Sequence, residues 1–392
     1  MIEWLERVDP DRLFLTADGR SWSYAEAVER VASRVQPHPV LVRPTLTANS
    51  VFDLLAAVSG GGATVVGPTP ETNTAAETDL VVFTSGSTGT PKGVRLTKAN
   101  LEAAASASQR HLGHGPDDVW LLSMPLHHVG GLSIVVRQVY AGGAIALLPK
   151  FEGAAVAGAI RDGVTMMSVV PTMLARLLDH GPFEGLRAVL VGGGPIPAGL
   201  LERARDVGLP VLPTYGMTET FGQVATLRPD APLGYRAHPL PGVELRIEPD
   251  GRIAVKGPQV SPGYVCEPDR AVPWFVTNDL GEIDDEGAVT VVGRSDTVIV
   301  TGGENVSPES VENVIESHPA VEEAVVVGVP DPDWGQMVVC VYRGEPGDIE
   351  QWVRERLPAF MVPKRWIQVP YLPSTSLGKP DREAARSLAL AE

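Results

Sequence analysis

Short apolar runs alternate with helix-like segments from about residue 76 to residue 215. The apolar runs predict buried strands, and they are "DLVVF" (79–83), "AIALL" (144–148), "VTMMSVV" (164–170) and "LRAVLV" (186–191). The segments between them predict helices over residues 101–112, 171–180 and 197–207, and the last two start with Pro, which the first turn of a helix allows. This alternation is typical of an α/β domain, in which helices cover the faces of layered sheets.

The pattern changes twice in the second half of the chain. Residues 240–293 carry two hairpin signals, "GVELRIEPDGRIAVKG" and "GEIDDEGAVTVVG", which predict a β-rich subdomain. Beyond residues 294–296 helices and strands alternate again, starting with a helix that has Ser307 as its N-cap and Pro308 at its first position. We therefore expect a large N-terminal α/β domain over residues 1–293 and a small α+β domain over residues 297–392.

Composition and charge narrow the possible partners. The formal net charge of −16 argues against nucleic acid, because binding a phosphate backbone needs clustered Lys and Arg. The two cysteines, Cys266 and Cys340, form neither a disulfide framework nor a metal-ligand spacing, and no apolar run is long enough to cross a bilayer. The N-terminal "MIEWLERVDPDR" lacks the apolar centre of a signal peptide. We expect a cytoplasmic protein without integral membrane association, and both a monomer and a homo-oligomer stay open.

A Gly-rich loop, "FTSGSTGTPKGV" at residues 83–94, follows the first of the apolar runs. Its glycines allow backbone N–H groups to approach an anion closely, and its hydroxyl groups and lysine add donors and charge. The loop lacks the Gly-Lys-Ser/Thr ending of nucleotide hydrolases, and "GVRLT" after it predicts a second strand instead of a helix. A flexible linker is a poor alternative between two apolar strands. The predicted phosphate-binding residues are Thr84, Ser85, Gly86, Ser87, Thr88, Gly89 and Lys92.

The stretch "TSGSTGTPKGV" resembles the phosphate loop of the adenylate-forming enzymes, a superfamily of acyl-CoA synthetases, peptide-synthetase adenylation domains and luciferases. Five later stretches resemble the superfamily's other motifs in the same order: "TYGMTET" (214–220), "FVTNDLG" (275–281), "GRSD" (293–296), "VTGGENVSPESVE" (300–312) and "PSTSLGKPDR" (373–382). Asn278 stands where the superfamily usually has Gly. The resemblance implies a hinge over residues 294–296, centred on Asp296, and a mobile C-terminal domain.

The resemblance also implies a reaction. A carboxylate would attack the α-phosphorus of ATP, pyrophosphate would leave, and the thiol of coenzyme A (CoA) would displace AMP from the acyl-adenylate. Lys92 would hold the β- and γ-phosphates, Glu219 would bind Mg²⁺, and Lys379 would stabilise charge at the α-phosphate. The implied catalytic residues are Lys92, Thr218, Glu219 and Lys379.

The motifs assign further residues to ATP and CoA. Beyond the phosphate loop, the implied ATP or AMP contacts are Gly193, Gly194, Thr214, Tyr215, Gly216, Met217, Thr218, Asp279 and Arg294. Asp279 would accept hydrogen bonds from the ribose hydroxyls, whereas the ring of Tyr215 either stacks on adenine or belongs to the core. Gly302 and Gly303 would leave room for the pantetheine arm of CoA.

The acid is indicated by two observations. Stretches such as "LPLHHVGGLS" and "LVGGGPIP" resemble the o-succinylbenzoate–CoA ligases of menaquinone biosynthesis, although the tail "LGKPDR" is closer to other acyl-CoA ligases. Arg137 is a lone cation in an apolar helix-like stretch, so it either binds the second carboxylate of a dicarboxylic aromatic acid, pairs with a protein anion or reaches the surface. The other predicted acyl-pocket residues are His128, Thr172, Gly194, Met217, Gln223 and Thr226. Another aryl- or acyl-CoA ligase, or a free-standing adenylation enzyme that loads a carrier protein, is the alternative.

Overall fold

The computed structural model describes residues 1–36, 40–66, 78–84, 92–181, 183–229, 236–374 and 380–391. The helices in these ranges are α1 (Ile2–Leu5), α2 (Tyr24–Ala32), α3 (Ala48–Ser59), α4 (Lys98–Leu112), α5 (Val129–Ala141), α6 (Gly153–Arg161), α7 (Pro171–Leu177), α8 (Ala198–Asp206), α9 (Pro308–Glu316), α10 (Ile349–Arg354) and α11 (Arg382–Ala391), with 3-10 turns at Leu178–His180 and Thr218–Thr220. The strands are β1 (Leu13–Ala17), β2 (Arg20–Ser23), β3 (Val40–Val42), β4 (Thr64–Val66), β5 (Leu80–Thr84), β6 (Lys92–Leu96), β7 (Val119–Leu122), β8 (Ala144–Leu147), β9 (Met166–Val169), β10 (Ala188–Val191), β11 (Val211–Met217), β12 (Gly222–Thr226), β13 (His238–Pro239), β14 (Glu244–Ile247), β15 (Arg252–Lys256), β16 (Gly263–Tyr264), β17 (Phe275–Ile283), β18 (Val289–Arg294), β19 (Ile299–Thr301), β20 (Glu304–Val306), β21 (Val321–Asp331), β22 (Gly335–Gly344) and β23 (Arg365–Gln368).

Two sheets form the larger part of the molecule. In the described part of the chain one sheet has nine strands, in the order β13-β12-β11-β10-β9-β7-β8-β1-β2, and its centre from β11 to β1 is parallel. A second sheet has the order β16-β6-β5-β4-β3. Parallel strands covered on both faces need continuous apolar sequence, and all four residues of β10 are buried. The predicted layered α/β architecture is confirmed.

The β-rich segment forms a third, antiparallel sheet in the order β14-β15-β17-β18. Both predicted hairpins are present, since β14 pairs with β15 and β17 pairs with β18. The apolar face of this sheet packs on α4 and β12, because Ile253, Val255 and Val289 share a core cluster with Ala107 and Val224.

The last sheet contains β20, β19, β22 and β21 in this order, with β23 paired to β22. One of its faces packs on α9 through Val311 and Ile315, and the other packs on α11 through Ala385 and Ala389. Ser307 caps α9 as predicted, because its hydroxyl accepts a hydrogen bond from the backbone N–H of Ser310 at 3.4 Å. The segment is α+β as expected, and its separation from the rest of the chain at residues 294–296 stays a prediction.

The first residue of a helix was predicted less accurately than the presence of the helix. Pro171 is the first residue of α7, as predicted, but Pro197 precedes α8 as its N-cap. The φ of −57° at Pro197 suits a helix, whereas its ψ of 133° is extended, so the turn starts one residue later.

Candidate active site

Four neighbouring parallel strands place most of the predicted acyl- and nucleotide-binding residues. Because β7, β9, β10 and β11 are adjacent and mostly parallel, their carboxyl ends lie along one edge of the sheet, which is where open α/β sheets bind ligands. The segments that follow these ends carry His128 after β7, Thr172 after β9, Gly193 and Gly194 after β10, and Thr218 and Glu219 after β11. Residues spread over about ninety positions are therefore assembled at one edge.

The phosphate loop joins β5 to β6, which form an antiparallel pair. Thr84 at the end of β5 is directly opposite Lys92 at the start of β6, and the hydroxyl of Thr84 donates to the carbonyl of Lys92 at 3.4 Å. This confirms the predicted strand-to-strand setting. The loop residues Ser85, Gly86, Ser87, Thr88 and Gly89 lie outside the described part of the chain, so their contacts stay predictions.

One aromatic residue, Tyr264, contacts both Lys92 and Glu219. The ammonium group of Lys92 lies 5.4 Å from the centre of the ring of Tyr264, and the hydroxyl of Tyr264 donates to Glu219 Oε1 at 2.8 Å. Burial and the neighbouring carboxylate raise the pKa of Tyr264 well above its usual range, so the phenol remains a hydrogen-bond donor. No pattern in the sequence distinguishes Tyr264 from an ordinary core tyrosine.

The donor set around Glu219 fits a magnesium ion that arrives with a nucleotide. Glu219 forms no ion pair with the Lys and Arg residues that the structure describes, and its second carboxylate oxygen is left for a ligand. The described residues contain no group of three or more His, Cys, Asp or Glu side chains that could enclose a metal. Magnesium commonly takes one or two carboxylates together with phosphate oxygens, which matches a single carboxylate beside a phosphate loop.

The predicted ribose-binding carboxylate, Asp279, has two partners. The hydroxyl of Tyr215 donates to Asp279 Oδ2 at 2.8 Å, and Arg294 Nη1 lies 3.1 Å from Asp279 Oδ1. Burial raises the pKa of Asp279, while both partners favour the ionised form. Tyr215 is half-buried and packs against the core cluster of Val224 and Ile253, whereas the stacking of its ring on adenine stays a prediction.

Arg294 also holds the predicted hinge. Its Nε and Nη2 atoms donate to the two carboxylate oxygens of Asp296 at 2.8 and 2.7 Å. Asn278 contributes from β17, because its carbonyl accepts from the N–H of Ser295 at 2.7 Å and its amide donates to Asp296 at 3.3 Å. The Asn at this position therefore has an extended-strand conformation and contacts the hinge directly, a contact that the motif comparison did not predict.

Close packing requires two glycines at the carboxyl ends of β10 and β11. A Cβ on Gly192 would lie 2.7 Å from the carbonyl oxygen of Thr214, and a Cβ on Gly216 would lie 2.2 Å from the carbonyl oxygen of Gly222. Gly193 adopts a positive φ of 82° and Gly194 is exposed. The backbone is thus flat and accessible where the base or acyl group was predicted to bind.

Arg137 is buried in α5 and has no counter-ion among the described residues. Its side chain is 5% exposed, and its guanidinium carbon lies 5.4 Å from the centre of the ring of Trp120. Burial lowers the pKa of Arg137 to about 9. Arg137 forms no ion pair with a described carboxylate and does not reach the surface. In the described part of the chain, neither pairing with a protein anion nor exposure to solvent explains its charge.

The remaining acyl-pocket candidates differ in how they are held. His128 is the N-cap of α5, Thr172 lies in the first turn of α7, and Met217 ends β11. Gln223 is buried, accepts from the hydroxyl of Ser108 at 2.7 Å and donates to Thr226 at 2.8 Å. Thr226 in turn contacts the hydroxyl of Thr214 at 2.7 Å. Internal hydrogen bonds already use the polar groups of Gln223 and Thr226, and their predicted contact with the acyl group stays a prediction.

Lys379 lies outside the described residues, but both flanks of its segment are described. Ser374 and Pro380 form an isolated β-bridge. Arg382 then pairs with two carboxylates of α9, at 2.9 Å from Glu309 and 2.8 Å from Glu312. Glu309 also accepts from the hydroxyl of Thr297 at 3.2 Å, so the tail motif, α9 and the residue after the hinge are connected.

The two predicted CoA-binding glycines form the turn between β19 and β20. Gly302 and Gly303 have positive φ values of 58° and 87°. The N–H of Gly302 donates to the carbonyl of Trp334 at 2.9 Å, and a Cβ on Gly302 would lie 2.8 Å from the ring of Trp334. This ring is 42% exposed and has the ammonium group of Lys364 3.6 Å from its centre. The sequence prediction missed this aromatic and cationic surface.

The chain matches the AMP-binding enzyme family over residues 35–265 and the C-terminal domain of AMP-binding enzymes over residues 310–379. This protein belongs to the AMP-binding enzyme family. The predicted resemblance to adenylate-forming enzymes is thereby confirmed.

Individual AMP-binding enzymes are similar over most of the chain. The 2-succinylbenzoate–CoA ligases of Bacillus mycoides and Bacillus cereus are both 41% identical to it, over 80% of this chain and 70% of theirs. The o-succinylbenzoate CoA synthetase of Bacillus subtilis, in complex with its acyl-adenylate intermediate, superposes with a TM-score of 0.85 and 30% identity, and covers 98% of this chain and 97% of its own. ATP-bound MatB from Rhodopseudomonas palustris superposes with a TM-score of 0.87 and 26% identity, over 99% of this chain and 98% of its own.

One further property concerns membranes. Among the described residues of this AMP-binding enzyme, no helix combines the length and the apolar character needed to cross a bilayer.

Proposed function

We propose that this AMP-binding enzyme is an ATP-dependent acid–thiol ligase that converts 2-succinylbenzoate to 2-succinylbenzoyl-CoA in menaquinone biosynthesis. Relatives of this name are 41% identical to the chain over 80% of its length. The observation that carries the choice of acid is Arg137, a buried cation that has no described counter-ion. Its position suits the second carboxylate of a dicarboxylic acid, because a buried charge needs an opposite charge to offset its desolvation.

The first half-reaction is carboxylate attack on ATP. A carboxylate oxygen forms a bond to the α-phosphorus, the bond to the bridging oxygen of the β-phosphate breaks, and pyrophosphate leaves with the electron pair. Lys92 and the hydroxyl groups of the phosphate loop neutralise the leaving pyrophosphate. No protein nucleophile is required, since positioning and charge neutralisation lower the barrier.

Glu219 is the proposed magnesium ligand. Magnesium bound there would neutralise charge on the phosphate oxygens of ATP. The hydrogen bond from Tyr264 leaves the second oxygen of Glu219 for the ion, and Thr218 and Thr220 flank it in the same 3-10 turn.

Asp279, Tyr215 and the glycines after β10 are the proposed nucleoside contacts. Asp279 Oδ1 and Oδ2 would accept from the ribose hydroxyls, and the half-buried ring of Tyr215 is the proposed surface for adenine. Arg294 would then share Asp279 with the ribose, from its place beside the hinge.

The second half-reaction is thioester formation. The sulfur of CoA attacks the acyl carbonyl carbon, AMP leaves with the electron pair of the broken C–O bond, and the thiol proton is released. Gly303 faces open space that would admit the pantetheine arm, while Gly302 packs against the ring of Trp334, and Lys364 beside this ring is the proposed partner for the anionic end of CoA. Lys379 would act in the first half-reaction and then be withdrawn by rotation about residues 294–296.

The place of the reaction is proposed as the cytoplasm. The reaction consumes ATP and CoA, and both Cys266 and Cys340 are free thiols, which suits a reducing compartment.

A second candidate is another aryl- or acyl-CoA ligase. The tail "SLGKPDR" favours it, because this tail is closer to acyl-CoA ligases in general than to the o-succinylbenzoate group. A carrier protein in place of CoA is the third possibility for the acceptor thiol.

The test is ATP-dependent thioester formation, followed by mass spectrometry, with CoA and a panel of acids. The panel holds 2-succinylbenzoate, benzoate, salicylate, and medium-chain and long-chain fatty acids. We expect 2-succinylbenzoyl-CoA as the dominant product. Preference for a monocarboxylate would select the second candidate, and a product on carrier protein but not on CoA would select the third.

A further inference from the structure

Tyr264 is in contact with two side chains, one that the proposed function assigns to the β- and γ-phosphates and one that it assigns to magnesium. Its ring lies under the ammonium group of Lys92 at 5.4 Å, and its hydroxyl donates to Glu219 Oε1 at 2.8 Å. Lys92 is the first residue of β6, and Glu219 lies in the 3-10 turn that follows β11. Strands β6 and β11 belong to two different sheets. One side chain therefore connects the phosphate loop to the proposed magnesium ligand.

Backbone hydrogen bonds hold the segment around Tyr264 against both β6 and the turn of Glu219. Strand β16 pairs with β6, with Tyr264 opposite Val94, and the N–H of Val265 donates to the carbonyl of Gly93 at 2.8 Å. Ser261 donates from its N–H to the carbonyl of Glu219 at 2.7 Å and from its hydroxyl to the carbonyl of Arg95 at 2.7 Å. The segment 261–265 is thus hydrogen-bonded both to the strand of Lys92 and to the turn of Glu219.

The hydroxyl of Tyr264 acts on the orientation of the carboxylate. A carboxylate can rotate about its terminal bond, and one firm donor to Oε1 restricts that rotation and leaves Oε2 as the outward oxygen. Arg270 interacts electrostatically with Glu219, but its guanidinium stacks on the ring of Phe275 at 4.4 Å and forms no ion pair with Glu219. Tyr264 is the hydrogen-bond donor observed on this carboxylate in the described residues.

We propose that Tyr264 is a positioning residue that holds the carboxylate of Glu219 for magnesium and the ammonium group of Lys92 for the β- and γ-phosphates. This inference rests on the proposed function, which assigns those two roles. The hydroxyl serves the carboxylate and the ring face serves the ammonium group, so the two effects are separable by substitution. If Tyr264 only filled space, removing its hydroxyl alone would leave the Mg²⁺ dependence of ATP binding unchanged.

The main experiment compares the wild type with Tyr264→Phe, which keeps the ring and loses the hydrogen bond. ATP binding is measured by calorimetry over a wide range of Mg²⁺ concentrations, without any acid. We expect half-maximal binding to need about tenfold more Mg²⁺, which corresponds to one lost hydrogen bond to a charged group. Excess Mg²⁺ should restore both ATP affinity and pyrophosphate release, whereas damage to the fold would not respond to the ion.

Two further variants make the comparison sharp. Tyr264→Leu removes the ring as well, so we expect ATP affinity to stay below the wild-type value even at saturating Mg²⁺, since Lys92 has lost its support. Tyr371→Phe is the matched control, because Tyr371 is 84% exposed and its hydroxyl contacts neither Lys92 nor Glu219 among the described residues. Thioester formation from supplied acyl-adenylate should be unchanged in Tyr264→Phe, because this step no longer involves the β- and γ-phosphates.

The inference and the proposed function fail in different ways. An unshifted Mg²⁺ dependence in Tyr264→Phe, or a loss that excess Mg²⁺ does not restore, would overturn the role of Tyr264. A wild type that binds ATP with Mg²⁺ but releases no pyrophosphate with any acid of the panel would overturn the proposed function alone. The calorimetric comparison still tests Tyr264 in that case.

Discussion

The guanidinium of Arg294 lies 3.1 Å from the carboxylate of Asp279 and at the same time holds both carboxylate oxygens of Asp296. A proposed nucleotide contact and a proposed hinge residue therefore share one cation. If the hydroxyls of a bound ribose donate to Asp279, Arg294 is attracted less strongly to Asp279 and its ion pair with Asp296 becomes the stronger of the two. We therefore expect nucleotide binding at Asp279 to affect the predicted hinge through Arg294.

Asp279→Asn tests the nucleotide half of this relationship. The amide keeps the size of the carboxylate but loses the negative charge, so we expect the dissociation constant for ATP to rise about tenfold or more. Calorimetric titration measures the change, and the exposed Asp285→Asn provides the control for an altered surface charge. Unchanged ATP affinity in Asp279→Asn would remove Asp279 from the site.

The two proposed catalytic lysines should affect different half-reactions. Lys92→Ala removes the cation at the leaving pyrophosphate, so we expect adenylation to fall on the order of 100-fold, whereas thioester formation from supplied acyl-adenylate changes little. Lys379→Ala should abolish adenylation while acyl-adenylate still binds. Pyrophosphate release and thioester formation are measured separately.

The exposed Lys150→Ala is the control for both lysine variants. Equal losses of Lys92→Ala in both half-reactions would contradict the assignment of Lys92 to the leaving group. A normal yield of pyrophosphate from Lys379→Ala would contradict the role of Lys379.

Arg137→Met should change selectivity without weakening the fold. We expect kcat/KM for 2-succinylbenzoate to fall on the order of 100-fold, since a charge-assisted contact to the second carboxylate is lost, and kcat/KM for benzoate to change little. The free energy of unfolding should not fall, because the variant removes a buried cation that has no described counter-ion. The ratio of kcat/KM for the two acids is the measurement, and equal losses for both would assign Arg137 to structure instead of substrate.

Glu316 should make the stability of the C-terminal segment depend on pH. Burial raises the pKa of Glu316 from 4.5 to about 8, and the carboxylate of Glu312 acts in the same direction. The folded state therefore favours the protonated form, so the stabilisation is complete below pH 4.5 and is lost as the pH rises through about 8. Since Glu316 is only partly buried, we expect a decrease in the free energy of unfolding of roughly 2 kcal/mol over this range.

Glu316→Gln should remove most of this dependence. Urea unfolding followed by tryptophan fluorescence at acidic and alkaline pH measures it, with the exposed Glu345→Gln as the control. A slope in Glu316→Gln equal to that of the wild type would assign the pH dependence to other groups.

The sequence predicted the elements well where local patterns determine them. The apolar runs at residues 79–83 and 186–191 contain β5 and β10 almost entirely, and the cap at Ser307 and the two hairpins are where the turn residues indicated. These features depend on near neighbours in sequence, which is the information that periodicity and turn chemistry carry.

The contacts that organise the candidate site could not be predicted in this way. Tyr264 and Glu219 are 45 residues apart, and Arg294 and Asp279 are 15 apart, yet a hydrogen bond between two side chains leaves no periodic trace in sequence. Motif resemblance identified Glu219, Asp279 and Arg294 one by one, but it gave no partner for any of them. Trp334 beside Gly302 was missed for the same reason.

The attachment of Arg382 to Glu309 and Glu312 has a mechanical consequence for the five residues 375–379. The bridge between Ser374 and Pro380 and the ion pairs of Arg382 tie both ends of this segment to the sheet and helix that follow residue 296. A rotation at residues 294–296 would then move Ser374 and Pro380 together with α9 as one rigid unit. One rotation at residues 294–296 would then control the change from adenylation to thioester formation. A substitution of Arg382 would weaken this control without removing a substrate contact.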